Sequence, residues 1–436
     1  MRRPGFGALD GAALVVTTVV GAGIFTVPAY VARLSGSGLV AIVLWIAGGL
    51  IAMAGALCYA ELATRFRRGG AEYVYISEAL GPTTGFLSGW TSFIAGFSGA
   101  IAAAAVGFGA QLQQVLPNTL MTSDGTPWIA AGLVVVFTAV VLAGMRAGKL
   151  ATNALAVLVV VLIVVLVATG ATGASGLNPV AAVTERPQLS ALAALVPIFF
   201  TYSGWNAAAY VAGEFRDPAR SLPRALVWGT LAVSALYVAL NASLMRTVPL
   251  RELAGSAAPV ADAARASLGG FGGGIVGALV LIALASSVCA MMITGPRIYR
   301  EMSRDGALPA MFGGVNARGV PTAAVLAQSG WTIVLILTGS FEQIVAFTGF
   351  AIVVFSGLAV VSLFIIRARH GAPRGYSVPW YPVLPAAFVC VVAVMAVASF
   401  RYAPLPSMAG VVLILAGLPV RAVLMRGGDP LRSVAG

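Results

Sequence analysis

Apolar runs of about 20 residues recur along this chain from end to end. Twelve can be read, at approximately 9–33, 38–64, 82–115, 127–145, 149–173, 190–213, 223–247, 271–302, 321–339, 342–367, 378–399 and 403–425. A run of that length crosses the hydrocarbon core of a bilayer as one α-helix. The connections between runs are short and polar, with no soluble domain among them. Composition agrees: 59% of the 436 residues are hydrophobic and 9% are charged, where soluble chains carry about 25% charged residues. With 26 basic and 14 acidic side chains, a soluble surface of this size could not be solvated. A cytosolic enzyme, a secreted disulfide scaffold and a disordered chain are thereby excluded. The expectation is an all-α polytopic membrane protein of 12 transmembrane helices, with residues 1–436 forming a single transmembrane domain.

The net charge of +12 is no nucleic-acid footprint, because the basic residues form no single patch. They sit between the apolar runs. An even number of spans puts both termini on one side. Arg33, Arg186, Arg246, Arg251, Arg265 and Arg401 fall on the opposite side, and the remaining 20 of the 26 basic residues fall on the side of the termini. The positive-inside rule then predicts a multi-pass protein of the cytoplasmic (inner) cell membrane with both termini cytosolic. The start, Met1-Arg2-Arg3-Pro4, reads as an anchor for a retained first span rather than an export signal. Cys58, Cys289 and Cys390 all lie inside apolar runs and read as small core residues. One histidine, His370, and no Cys/His cluster leave no case for a metal site. No cofactor is implied.

Two apolar runs fail in mid-membrane. The first reads Gly21-Ala22-Gly23-Ile24-Phe25, with Pro28 close behind. Unwinding there exposes backbone N–H groups at the positive start of a half-helix, which suits a carboxylate. The sixth reads Phe200-Thr201-Tyr202-Ser203-Gly204-Trp205-Asn206. Unwinding there frees carbonyl oxygens at the negative end of a half-helix, which suits an ammonium group. The two interruptions are one five-helix repeat apart, and paired interruptions mark the site of an inverted-repeat transporter. A carboxylate trap facing an ammonium trap is a receptor for an α-amino acid. By contrast, Gly81, Gly85 and Gly89 have the spacing of a helix-packing face.

These stretches resemble the amino acid–polyamine–organocation (APC) superfamily. Gly21 through Phe25 looks like its G-[SA]-G-I-F element. Phe200 through Asn206, running on to Glu214-Phe215-Arg216-Asp217-Pro218-Ala219-Arg220-Ser221-Leu222-Pro223, looks like its sixth-helix signature. Ala60-Glu61-Leu62 with Gly70-Ala71-Glu72-Tyr73-Val74-Tyr75 resembles the A-E-L … G-G-x-Y-x-Y element. The stretch from Arg297 to Arg304-Asp305-Gly306-Ala307-Leu308-Pro309 resembles the segment after the eighth helix. Gly417-Leu418-Pro419-Val420 is similar to the L-type amino acid transporter branch. The resemblance implies a 5+5 inverted repeat (LeuT-like fold): repeat one at about 9–173, repeat two at about 190–367, and two peripheral helices at about 378–425. It also implies substrate-binding roles for Gly21, Ala22, Gly23 and Ile24 on the carboxylate side. Phe200, Tyr202, Ser203 and Gly204 would serve on the amine side, with Phe200 as an aromatic lid. Asn206 is a candidate to face the pocket, with an interhelical packing bond as the alternative. Many members carry a lysine in the fifth helix; Val159 stands there, and Lys149 is too far toward the helix end to replace it. Ser286 and Ser287 fall where sodium-coupled relatives use a hydroxyl pair, so they are a possible cation site, with packing as the alternative.

The acids sort toward the cytosolic side. Glu61 with Arg65, Glu214 and Asp217 with Arg216 and Arg220, and Glu301 with Arg297 read as a network of ion pairs, a candidate cytosolic gate. Asp10 reads as a cap of the first helix. No charged residue lies mid-way along the pocket spans, which argues for a neutral zwitterion over a cationic or acidic substrate. The reading is a secondary active transporter, a permease for neutral L-amino acids working as a proton-linked symporter or an exchanger, with proton or sodium as the possible coupling ion. An amine or polyamine transporter of the same fold, or a sodium-coupled symporter, is the alternative. The chain carries no G-x-x-x-x-G-K-[ST] loop for ATP, and nothing in it points to an enzyme. Its partners are the amino acid substrate and the lipid bilayer. No nucleic acid is implied, and the oligomeric state is not legible.

Overall fold

The structure, a computed structural model, describes residues 6–66, 68–115, 125–144, 157–158, 160–161, 163–168, 187–256, 258–339, 341–373, 375–402 and 404–426. These residues are helical apart from turns and one parallel backbone pairing between Phe6 and Phe215. In chain order the helices are α1 (Ala8–Val19), α2 (Ala22–Ser35), α3 (Gly38–Arg65), α4 (Glu72–Leu80), α5 (Pro82–Thr91), α6 (Ser98–Val115) and α7 (Thr126–Ala143). Then follow α8 (Pro187–Thr201), α9 (Ala207–Tyr210), α10 (Pro218–Thr247), α11 (Leu250–Gly255), α12 (Pro259–Arg304) and α13 (Thr322–Thr338). The last four are α14 (Phe341–His370), α15 (Val383–Tyr402), α16 (Pro404–Leu415) and α17 (Gly417–Arg426).

Among the described residues eight helical stretches are long and apolar enough to cross a membrane, or nine when the bent pair α1/α2 is one span. Two of the other expected runs are shorter apolar helices, Ala191–Thr201 and Thr322–Thr338. Most of the expected run at 149–173, including Lys149 and Val159, lies outside the described residues; 163–168 are helical. Three expectations need correction. Pro28 lies inside an uninterrupted α2 and breaks nothing. The stretch read as a connection at 248–270 holds α11 and the amino end of α12, which turns at Gly269 with φ +71°. Cys58 and Cys289 are buried, but Cys390 is exposed on the apolar outer face of α15.

Two groups of helices form the body. α3 packs against α10, and α10 against α1; α2 packs against α8. α6 packs against α12 and α7, and α7 against α13. α3 can approach its neighbours because Gly48 faces Ile198 and Gly55 faces Trp205 and Phe388. The gap is filled by aromatic rings. Trp45, Tyr202 and Tyr237 meet with centroids 5.1–6.1 Å apart, and Tyr59 stands edge-on to Trp205 at 4.7 Å. Leu39, Leu50, Trp128, Val135 and Leu405 point outward, as lipid-facing side chains should.

The packing glycines are not interchangeable. Gly81 has φ +90° and an open surrounding, so it serves the backbone turn between α4 and α5. A Cβ at Gly85 would lie 2.8 Å from Ser77 Cα, and one at Gly89 would collide with Met302. Gly132 on α7 faces open space. Gly85→Ala is therefore expected to lower stability by about 1–3 kcal/mol, and Gly132→Ala to leave it within about 0.5 kcal/mol. Thermal unfolding in detergent would check this; equal melting temperatures would contradict the packing.

Candidate substrate site

The first break comes slightly earlier than its glycines suggest. α1 ends at Val19, Val20 and Gly21 are non-helical, and α2 opens at Ala22, with the two axes bent by 52°. The local cause is the run Thr17-Thr18-Val19-Val20. The Thr17 and Thr18 hydroxyls donate back to the carbonyls of Ala13 (2.6 Å) and Leu14 (2.7 Å). Such back-bonding weakens and bends helices, and Gly21 then ends the turn. Asp10 accepts a hydrogen bond from the Gly7 N–H at 2.9 Å, closing the amino end of α1 as expected.

The second break has the same construction. Pro197 removes one N–H inside α8, and the Thr201 hydroxyl donates to the Pro197 carbonyl at 2.8 Å. Residues 202–206 are turns, with Gly204 at φ +106°. A Cβ at Gly204 would lie 3.0 Å from the Thr18 carbonyl carbon and the Val19 nitrogen. A Cβ at Gly23 would lie 2.7 Å from Thr201 Oγ1, and one at Gly21 would lie 2.5 Å from Ser287 Oγ. The two breaks therefore touch, and only glycine fits at each contact.

The freed carbonyls have a partner that sequence reasoning missed. The buried Tyr237 hydroxyl of α10 donates to Val19 O at 2.8 Å and lies 3.4 Å from Thr201 O. It ties the last carbonyl of α1 to the last carbonyl of α8. Of the other carbonyls at the second break, Phe200 O accepts from Ser203 N–H (2.9 Å) and Tyr202 O from Trp205 N–H (3.3 Å). Each keeps a second lone pair. At the first break the N–H groups of Ala22, Gly23 and Ile24 have no partner within α2, being its first turn.

A cavity of about 80 Å³ adjoins the second break. That is room for a few water-sized groups. Ser203, Gly204 and Asn206 line it, with Thr18 from α1. Of the other expected residues, Gly21, Gly23 and Ile24 are buried outside this wall. Phe200 is buried against Gly349 of α14. Tyr202 points away, its hydroxyl on the Trp45 carbonyl at 3.2 Å. The side chain of Ala22 lies outside what is described. Ser286 and Ser287 are both buried, with Ser287 against Gly21.

The opposite wall is a π-helical turn, Ser92–Phe97, between α5 and α6. Nothing in the segment Ser-Phe-Ile-Ala-Gly-Phe signals it. Three of its carbonyls accept from other helices: Ser92 O from Tyr299 (3.3 Å), Ile94 O from Trp331 (2.8 Å) and Ala95 O from Thr348 (3.2 Å). π turns concentrate at functional sites. The floor corrects an expectation. The cavity does contain a carboxyl group, that of Glu72, which α4 brings in from outside the spans. Asn206 donates to its Oε1 at 2.5 Å and Tyr59 donates to the same oxygen at 2.9 Å. Asn206 thus both faces the cavity and makes a packing bond.

The ion-pair network is real but differently wired. Glu61 is fully buried and pairs with Arg65 at 3.1 Å, as the spacing predicts. It also takes a two-pronged grip from Arg367 of α14 and accepts from the Val378 N–H at 2.9 Å. Arg367 in turn stacks on Tyr381, 3.8 Å from its centroid. Glu214 pairs with Arg297 at 2.9 Å rather than with Arg216 or Arg220. Glu301 pairs with Arg304 and Arg68 rather than with Arg297, and Arg68 also holds Asp305 at 2.6 Å. Among the described residues Arg220 makes no ion pair, and it is exposed. Beside this network the Phe6 N–H donates to Glu214 O (2.9 Å) and the Arg216 N–H to Phe6 O (3.2 Å).

Two touching helix breaks, a small cavity beside the second and membrane-spanning helices around them are the architecture of a transporter. The chain belongs to the amino acid permease family, which it matches over residues 6–423, within the APC superfamily. It is 26% identical over 386 residues to the serine/threonine exchanger SteT of Bacillus subtilis (strain 168), covering 87% of each chain. It is 26% identical over 427 residues to the human Asc-type amino acid transporter 1, covering 95% of this chain and 81% of that one. It is 27% identical over 430 residues to the human large neutral amino acids transporter small subunit 2, covering 95% and 79%. The LeuT-like fold follows from the family.

Removing one partner of a buried ion pair costs about 3–5 kcal/mol. Arg367→Met is expected to lower stability by about 3 kcal/mol, and Arg220→Ala to change it by less than about 0.5 kcal/mol. Chemical denaturation in micelles would separate the two; equal effects would contradict this wiring.

Proposed function

We propose that this protein is a secondary active transporter of small neutral L-amino acids, working by alternating access around the two helix breaks. The observation that carries the reading is the contact between the breaks: Gly204 on Thr18 and Val19, and Gly23 on Thr201. The N–H groups of Ala22, Gly23 and Ile24 hold the substrate carboxylate. The carbonyls near Phe200, Tyr202 and Ser203 hold its ammonium group. In hydrocarbon-like surroundings, backbone dipoles can hold a zwitterion without a fixed countercharge. The cavity limits the side chain to a few heavy atoms. Its hydroxyl-rich wall, with Thr18, Ser92, Ser203, Thr294 and Ser356, suits a small polar side chain. The name of the serine/threonine exchanger among the relatives agrees with that choice.

The inverted repeat is part of the same reading. Counterparts of the two repeats pack together: α2 on α8, α3 on α10, α6 on α12 and α7 on α13. A pseudo-two-fold arrangement of five-helix units accounts for that pattern. Both termini face the cytosol. The bonds Arg297–Glu214 and Arg68–Asp305, with the Phe6–Phe215 backbone pairing, close that side. The first joins α12 to the loop after α9, the second joins the segment before α4 to the end of α12, and the third joins the chain before α1 to the loop after α9; all three open when the cavity faces the cytosol.

The test is uptake by the purified protein in liposomes, with a panel of labelled amino acids and their decarboxylated amines. Serine, threonine and alanine are expected to enter, and the corresponding amines to neither enter nor compete. Gly23→Val is expected to abolish binding while Gly132→Ala leaves it unchanged. Uptake of amines, or wild-type uptake in Gly23→Val, would overturn the site. Replacing sodium by choline is expected to leave uptake unchanged; its loss would make Ser286 and Ser287 a cation site.

A further inference from the structure

Among the described residues lining the cavity, Glu72 is the one that carries a carboxyl group. It opens α4, a nine-residue helix outside the membrane spans, and is 6% exposed. Oε1 accepts from Tyr59 and Asn206, whereas Oε2 is buried and makes no well-formed hydrogen bond among the described residues. The residue that places it, Ala71, has φ +36° and ψ −108°. That is a costly conformation for a side chain with a Cβ, and such strain persists where the surroundings impose it. The backbone thus holds an acid against a small, mainly apolar cavity, bonded to a residue of the broken sixth span.

Among the described residues no basic group neutralises it. Tyr59 faces it from α3, Tyr75 from α4 itself and Tyr210 from α9. The helices packed on α4 are α5 and α14. The whole stretch from α5 to α6 contains no charged residue. From α14 the near polar group in the cavity wall is Ser356. Its described basic residues lie farther along, where Arg367 holds Glu61 and Arg369 donates to the Glu78 carbonyl. From α12, Arg297 is bound to Glu214, and Glu301 to Arg68 and Arg304. Burial pushes the Glu72 carboxyl up from the ordinary carboxylate range. Tyr210, its own backbone N–H, Tyr59 and Asn206 pull the other way without cancelling the shift.

We propose that Glu72 is the proton carrier of this transporter: it binds a proton while the cavity is closed to the cytosol and releases it to cytosolic water when α9 moves and the Asn206 bond breaks. The proposal rests on the amino acid transport reading above and supplies its coupling ion. In the closed state the protonated carboxyl fills the wall as a neutral group, which agrees with a neutral substrate. Once hydrated and parted from the apolar wall, the same group loses its proton to water. Each cycle then moves one proton in the direction of the amino acid.

The experiment uses the full-length protein in liposomes containing a pH-sensitive dye, with labelled serine as the probe. In wild type, serine entry is expected to acidify the interior, and an inward proton gradient of one pH unit to support up to about tenfold serine accumulation. Glu72→Gln keeps the shape and is expected to exchange serine for serine while losing both acidification and accumulation. Tyr59→Phe removes a donor that favours the carboxylate, so the pH midpoint of transport should move to higher pH. This second variant decides the matter if Glu72→Gln does not fold. Acidification that persists in Glu72→Gln, or an unmoved midpoint in Tyr59→Phe, overturns the proposal while leaving the transport reading intact. Absence of serine movement in wild type overturns both.

Discussion

Everything in this structure depends on one constraint: a backbone polar group inside a bilayer needs a partner. An unbroken helix supplies its own. A broken one exposes several donors and acceptors at once, each unpaired group costing a few kcal/mol. The protein tolerates two breaks because they face each other and share partners. The Tyr237 hydroxyl serves Val19 O and lies near Thr201 O, tying the last carbonyls of α1 and α8 into one point. The groups left over, chiefly the first-turn N–H groups of α2, are those a zwitterion can satisfy. On the proposed reading, binding and membrane stability are the same requirement met in two ways.

The same rule explains the opposite wall. The π turn at Ser92–Phe97 leaves carbonyls reaching out of the helix, and Tyr299, Trp331 and Thr348 each donate to one. The hydroxyl side chains at the breaks work in the same way at shorter range, returning hydrogen bonds to Ala13, Leu14 and Pro197. At the end where the chain begins, charge takes over from the backbone. The buried Glu61 gathers Arg65, Arg367 and the Val378 N–H, and so fixes α3, α14 and the segment before α15 to one another. That clamp is permanent in character. The half-exposed pair Arg297–Glu214 and the exposed Arg68 contacts are weaker.

Sequence reading recovers what depends on local order. Twenty-residue apolar runs give eight or nine helices long enough to span among the described residues, and Gly204 breaks a helix whether or not the rest of the fold is known. Glu61 and Arg65 are four apart on one helix, so their pairing is legible too. The misses are contacts between residues distant in sequence. Glu214 finds Arg297 instead of its neighbours Arg216 and Arg220, because α12 returns to the same end of the bundle. Tyr237 looks like any aromatic in an apolar run until α10 is laid against α1. Glu72 falls between the fixed letters of the motif that carries the resemblance and lies in no span. Only the folding of α4 beneath the cavity makes it a wall residue. The π turn has no sequence marker at all.

The central claim is that backbone groups at both breaks hold one amino acid. Amide hydrogen exchange in the purified protein, with and without saturating serine, addresses those groups directly. The account expects slower exchange at Ala22, Gly23 and Ile24 when serine is bound, together with slower exchange across residues 202–206 as the broken sixth span closes on its ammonium group. Protection confined to one break, or appearing elsewhere while both breaks exchange as before, would contradict it.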